Sequence, residues 1–274
     1  MIGLSYHAGG MKDLPLPQVL EILSDVGYDA VEMMCGPEAH IRSGEITDAL
    51  LNEVRGMVED HGLKTAVINP FAGPGLYHLA LEDKQKAIDH YALLQDVALA
   101  LGAGGVNFLT GYGGEKGDAF AWKLLIEVLG PICRRAGELG LTMNIHNHEA
   151  CTIDTPEKVE LLIRHVGEPS LQLLNDITNF YHLGSDIYRV TEKLAPITMH
   201  CHVKGVKGMY PYSTFLIPGE EEDELDFASF ARALGDAGYD RCISVETFPR
   251  MRLEKAQIAF AMMDSTLREL GLRS

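Results

Sequence analysis

Two histidines, two asparagines and a glutamate close the stretch LTMNIHNHEA (141–150), directly behind ordinary core residues. Imidazole and carboxylate groups move protons near neutral pH and bind divalent cations. A second such stretch is TMHCHVK (198–204), and single acids stand near the ends of LQLLND (171–176) and CISVET (242–247). In an extended segment successive side chains alternate between faces. Thr142, Asn144, His146 and His148 then share one face against Met143 and Ile145. Thr198, His200, His202 and Lys204 oppose Met199 and Cys201, and Ser244 and Glu246 oppose Ile243 and Val245. One buried histidine is ordinarily a satisfied core group. Several imidazoles and carboxylates converging from separate strands need a compensating cation, because unpaired buried carboxylates are costly. The donor set suits Zn²⁺, Mn²⁺, Fe²⁺ or Co²⁺.

The elements that must position these groups are regular. Eight short runs, apolar on both faces, read as buried strands: 2–6, 29–34, 64–69, 105–109, 141–147, 171–176, 197–203 and 242–247. Amphipathic stretches separate them. In 82–101, Leu94, Val97, Ala98 and Leu101 make one buried stripe. Thr155-Pro156 is a helix start, a hydroxyl cap followed by proline at the first helical position. Glycines at 102, 140 and 238 stand where helices stop before strands. No linker or composition shift divides the 274 residues, so one α/β domain is expected, a single (β/α)8 TIM barrel over 1–274. A doubly wound sheet would usually carry a glycine-rich phosphate loop after an early strand. GAGG (102–105) precedes a strand, and TGYGGEKG (110–117) lacks the GxGxxG spacing.

In a barrel the active site gathers at the carboxyl ends of the strands. Those ends offer His7, Glu32, Asn69, Thr110, His146 with His148, Asp176, His200 with His202, and Glu246. Tyr112, Phe180, Tyr210 and Phe215 follow strands and could wall a pocket, and 205–215 reads as a long loop on that side.

Composition narrows the partners. The formal net charge is −16, there is no basic block, and GEEEDELD (219–226) is acidic, so nucleic acid is excluded as a partner. No apolar run reaches the length of a membrane span, about 18 residues. The start MIGLSYHAGG lacks the features of a signal peptide. Five scattered cysteines without a CxxC pair read as free thiols of a cytoplasmic protein.

GLTMNIHNH, LLNDITNF, MHCHVKG, DVGYDAVEMM and above all IPGEEEDELDFASFARALGDAGYDRCISVETF resemble the xylose isomerase-like barrel superfamily. That group holds sugar isomerases and epimerases, inosose dehydratase-type enzymes and abasic-site endonucleases. The resemblance implies one divalent ion (Mn, Zn, Co, Fe or Mg) held by His146, Asp176, His202 and Glu246, a small sugar or polyol substrate, and a homo-oligomer, dimer or tetramer. His146 stands where many epimerases carry glutamate. An H-x-H on this strand looks more like the inosose dehydratase branch, as does His200-Cys201-His202-Val203-Lys204. Asn179 replaces a usual histidine, and Gly205 a usual aspartate. The endonuclease branch would place histidines near Asn69, Thr110 and Asn179.

The chemistry so implied is proton abstraction beside a carbonyl. Glu246 is the expected base, with His146 or His148 in place of the missing second glutamate. Lys204 and His200 would orient or protonate hydroxyls, and His7, Glu32 and Asn69 would join His200 in holding substrate. Return of the proton at the neighbouring position makes an isomerase, and return to the opposite face of the same carbon an epimerase. Departure of a β-hydroxyl makes a dehydratase, and a metal-containing barrel without turnover is the remaining alternative.

Overall fold

The structure is a computed structural model that describes residues 1–70, 84–111, 117–149, 151–246 and 252–274. All eight expected runs form strands: β1 (Gly3–His7), β2 (Ala30–Gly36), β3 (Lys64–Pro70), β4 (Gly105–Leu109), β5 (Thr142–His146), β6 (Leu171–Asp176), β7 (Thr198–Val203) and β8 (Cys242–Val245). Each pairs in parallel with the next, and β8 pairs back onto β1, so the sheet closes on itself. Helices follow the strands: α1 (Leu16–Val26), α2 (Asp48–Asp60), α3 (Lys84–Ala100), α4 (Gly117–Glu138) and α5 (Pro156–Val166), then α6 (Ile177–His182) and α7 (Ile187–Leu194) after β6, α8 (Phe227–Asp236) and α9 (Arg252–Glu269). This is a (β/α)8 barrel. Among the described residues no helix is long and apolar enough to cross a membrane.

Local chemistry sets the boundaries. Thr155 accepts a hydrogen bond from the Lys158 amide and Pro156 opens α5. Gly27, at φ 107°, ends α1 in the left-handed conformation that a side chain would resist. Side chains on the helix-facing side of the strands, such as Leu4, Tyr6, Met143, Ile145, Cys201, Val203, Ile243 and Val245, are fully buried against the helix ring. The opposite faces of the same strands carry the polar groups into the barrel.

Three boundaries differ from expectation. β5 stops at His146, so His148 lies in the following loop. β8 stops at Val245, and Glu246 continues it by one amide bond to the Val203 carbonyl, 3.0 Å. The segment expected as a plain loop contains a small hairpin, Gly205–Lys207 against Thr214–Leu216. Asp223 and Glu224 brace it, accepting from the Val206 and Gly208 amides at 2.9 Å each. Tyr112 and Thr247 fall outside the described residues.

At the amino end of the barrel, Asp29 accepts from the Leu4 amide at 2.7 Å and pairs with the Arg273 guanidinium, which also bonds Asp264 at 2.7 Å.

Candidate metal centre

Strand register brings the chemistry together. Asp176 lies opposite His202 across β6 and β7, and His202 opposite Ser244 across β7 and β8. His146 lies opposite Leu174, two residues below Asp176. One ligand atom each from His146, Asp176, His202 and Glu246 lie within 4.8 Å of one another. The four come from four strand ends, as expected.

Each member is held from behind. Asp176 Oδ1 accepts from the Asn179 amide at 3.0 Å and so caps α6, while Oδ2 faces His146 Nε2 at 3.2 Å. Asn147 bonds the Asp176 backbone on both sides, at 2.9 Å each. His202 Nε2 donates to Glu32 Oε2 at 2.7 Å. That contact leaves His202 Nδ1 turned toward Glu246 Oε2, 3.3 Å away. The nitrogen is buried and has no hydrogen-bond partner among the described residues. Lys204 adds a cation: its ammonium bonds Asp176 Oδ2 and, at 2.7 Å, Glu246 Oε2.

The charges explain the titration. Burial pushes the His146 imidazole down to about 4, only partly opposed by Asp176. Burial works against charge on His202 too, but the Glu32 and Glu246 carboxylates outweigh it and push this imidazole up to about 10. Burial would raise the Asp176 carboxyl; Lys204 and His146 hold it down at about 2. Glu246 is held well below the carboxylate range, burial being overcome by Lys204 and His202. Three carboxylates, the buried Glu32 and Asp176 and the part-exposed Glu246, thus meet two cationic side chains, Lys204 and His202. The set retains a surplus of negative charge.

These residues fit a divalent ion. An orphaned imidazole nitrogen whose other nitrogen is fixed by a carboxylate is the arrangement that presents histidine to a metal. Two imidazoles and two carboxylates suit a borderline or hard divalent cation.

The other expected residues fall into two groups. Glu32 is fully buried and committed. Besides His202 it meets His200 Nε2 at 3.2 Å and the Asn107 amide at 2.9 Å, with His7 Nε2 3.9 Å away. Its carboxyl is held well below the usual range: burial raises it, but His202, His7 and His200 together outweigh that. His200 also bonds Ser244 Oγ at 2.8 Å, and Ser244 bonds Ser5. Asn69 donates to His7 Nε2 at 2.6 Å. The four residues expected to hold substrate therefore adjoin one another, with Glu32 and His200 beneath the four-residue cluster. Asn107, Asn144 and Ser244, which complete that layer, carry no motif in the sequence; only the inward parity of Asn144 and Ser244 hinted at them.

The second group is at the rim. The His148 ring lies 5.7 Å from that of His146, and its Nδ1 meets Glu149 Oε2 at 3.1 Å. Glu149 Oε2 is 3.7 Å from His182 Nε2, and His182 Nδ1 bonds Ser213 Oγ at 2.9 Å. His182 and Ser213 escaped the sequence reading because helix α6 and the hairpin, not strand ends, deliver them. Phe215 stacks on His182, ring centroids 5.2 Å apart, and the Lys204 ammonium lies 5.3 Å from the Phe215 ring centroid. Phe180 is fully buried, while Tyr210 is half exposed beside His182.

Known proteins share this frame. The chain is 28% identical over 251 residues to a putative hydroxypyruvate isomerase of Homo sapiens, covering 86% of this chain and 84% of that protein. It is 26% identical over 140 residues to an inosose dehydratase of Geobacillus thermodenitrificans, and that match spans only 46% of each. A solved structure described as IOLI protein with a binding zinc atom superposes with a TM-score of 0.76 at 17% identity, over 98% of both chains. The model of the family described as xylose isomerase-like TIM barrel matches residues 20–266, a span that takes in all four residues of the cluster, and the chain belongs to that family.

Proposed function

We propose that the protein is a divalent-metal-dependent isomerase or epimerase of a sugar or keto-polyol, working by removal of a proton next to a carbonyl. The observation that carries this reading is the convergence of four ligand atoms from four strand ends within 4.8 Å. His146, Asp176, His202 and Glu246 would hold the ion. A bound divalent cation supplies Lewis acidity, drawing charge from a carbonyl and its neighbouring hydroxyl so that the adjacent C–H becomes acidic. Glu246 is the base: its side chain is 24% exposed whereas those of Asp176 and His202 are wholly buried, so it alone of those three acids and imidazoles reaches the mouth. Before an ion is bound, Lys204 and His202 hold that carboxylate in its charged form. The rim imidazole of His148, a third exposed, stands where a proton could be returned. The isomerase side of the reading is supported by the length of the match to the putative hydroxypyruvate isomerase.

A second reading, loss of water from a keto-polyol, is favoured by one feature. His146 and His148 form an H-x-H where a second glutamate would serve an epimerase, and an inosose dehydratase is among the relatives. In that reaction the same base removes the proton and a rim acid, His148, protonates the departing hydroxyl.

Metal analysis of the purified protein, followed by a screen of aldoses, ketoses and ketoinositols in D₂O, tests both. Solvent deuterium in an unchanged carbon skeleton supports isomerase or epimerase. An enone or diketone product supports the dehydratase. Failure of every substrate with Mn²⁺, Zn²⁺, Co²⁺, Fe²⁺ and Mg²⁺ would sink the enzymatic reading.

A further inference from the structure

We infer that Lys204 is a resident cation that occupies the coordinating oxygens of the metal-free protein, and that a divalent ion enters by displacing its ammonium. This rests on the metal reading above and concerns how that site is loaded. The carboxylates are the same ones. Lys204 Nζ bonds Asp176 Oδ2 and Glu246 Oε2, and both residues belong to the four-residue cluster. A wholly buried carboxylate such as Asp176 is costly without a cation, and breaking such a pair is strongly destabilising. The metal-free barrel thus carries its own.

The residue type suits the task. An ammonium is a point charge on a flexible four-carbon stem, whereas a guanidinium would clamp carboxylates in a rigid fork. The backbone of Lys204 is fixed at both polar groups by Thr178, whose Oγ1 accepts from the amide at 2.9 Å and donates to the carbonyl at 2.8 Å. Displacement therefore costs a change of rotamer and no movement of β7. A resting place lies alongside. The ammonium is 5.3 Å from the centroid of Phe215, an aromatic face that can receive a cation. Phe215 belongs to the hairpin that closes over α6, and Ser213 of the same hairpin bonds His182. Loading the metal thereby presses a charge toward the rim group that adjoins the mouth.

The consequence is an apparent metal affinity reduced by the fraction of molecules whose carboxylates are free of Lys204. An ammonium seated in about nine molecules of ten weakens binding by about tenfold.

The test is calorimetric titration of Zn²⁺ and of Mn²⁺ into the wild-type protein and Lys204→Leu, since leucine offers no ligating atom. The expected result is binding at least about tenfold tighter in the variant, together with a lower melting temperature for the metal-free variant than for the metal-free wild type. Uptake by the variant alone would be the extreme form of the same result. Equal or weaker binding by the variant overturns the competition while leaving the metal reading intact. If neither protein takes up either ion, the metal reading itself fails and the inference falls with it. Should the metal-free variant not fold, the wild type answers alone. With ¹⁵N-lysine labelling, the Lys204 Nζ resonance shifts on saturation with Zn²⁺ if the ammonium leaves the carboxylates, and an unmoved resonance overturns the proposal.

Discussion

The two ends of this barrel each set one basic side chain between two carboxylates, to opposite effect. At the amino end Arg273 bonds Asp29 and Asp264, with Asp29 43% exposed. At the carboxyl end Lys204 bonds Asp176 and Glu246, with Asp176 wholly buried. The first set has no surplus, because Arg268 also bonds Asp264 at 2.7 Å, and solvent screens Asp29. In the second set Asp176 and Lys204 are buried while Glu246 is 24% exposed, and Glu32 adds a third carboxylate beneath it. The amino-end charges balance, whereas the carboxyl-end set keeps a surplus of negative charge around a wholly buried Asp176. The basic residue matches each duty: a forked guanidinium grips Asp29 with two nitrogens, while an ammonium can let go.

The comparison breaks most visibly at Glu246. Glu246→Gln keeps the shape and removes the base, so turnover should fall by about 10²–10⁴-fold while the melting temperature and the circular dichroism spectrum stay near wild type. Steady-state rates on the best substrate of the screen decide it. A variant with undiminished rate would move the catalytic role elsewhere, to Glu149 or His148 at the rim.

Asp176→Ala should be the largest stability effect at either end. It removes the N-cap of α6, the partner of His146 and one of two carboxylates facing Lys204. Breaking a buried pair of this kind costs about 3–5 kcal/mol, which urea denaturation would register, and metal uptake should vanish with it. An exposed-pair cost, under about 1 kcal/mol, would mean that the two ends do not differ as described.

Glu32→Gln probes the layer beneath the ligands. The amide can still meet His202 and His200 but no longer fixes His202 Nε2 as a donor by charge. Metal affinity should fall by about 10–100-fold, with KM changed only as far as metal occupancy changes. A rise in KM at saturating metal would instead return Glu32 to the substrate-holding role that its place at a strand end suggests.

Much of this was legible in the sequence, for physical reasons. Strands buried on both faces must be apolar, so all eight announce themselves. Alternation of side chains then turns His146, His202 and Glu246 to the polar face of their strands, and the resemblance implied that these join Asp176 as one set. What was not legible depends on contacts between distant elements. Glu32 looked like a substrate ligand because it stands near a strand end, but its depth is set by the register of β1 on β2, which places it opposite His7. The bonds between Lys204 and the Asp176 and Glu246 carboxylates need the lengths of the side chains, not a pattern. His182 and Ser213 come from α6 and from a hairpin whose pairing rests on Asp223 and Glu224, fifteen or more positions along, and no periodicity ties these together.

The smallest expected effect closes the comparison from the other end. Arg273→Ala removes the bonds to Asp29 and Asp264 and the guanidinium beside the Phe260 ring, all in partly exposed positions. Loss of about 1 kcal/mol is expected, read as a modest fall in melting temperature, with metal affinity and turnover unchanged because the amino end does not touch the site. The acid limb carries a second signature. Burial tends to raise the Asp264 carboxyl, but Arg268 and Arg273 hold it below its ordinary value. A carboxyl lowered on folding stabilises above its unfolded pKa, and that stabilisation is lost as pH falls through the lowered value. In Arg273→Ala the shift shrinks, so the difference in melting temperature between wild type and variant should be widest near neutrality and narrow as pH falls through the carboxylate range. A gap that instead persists unchanged into acid would assign the stabilisation to packing against Phe260 and not to charge, and the amino end would then owe its clasp to apolar contact.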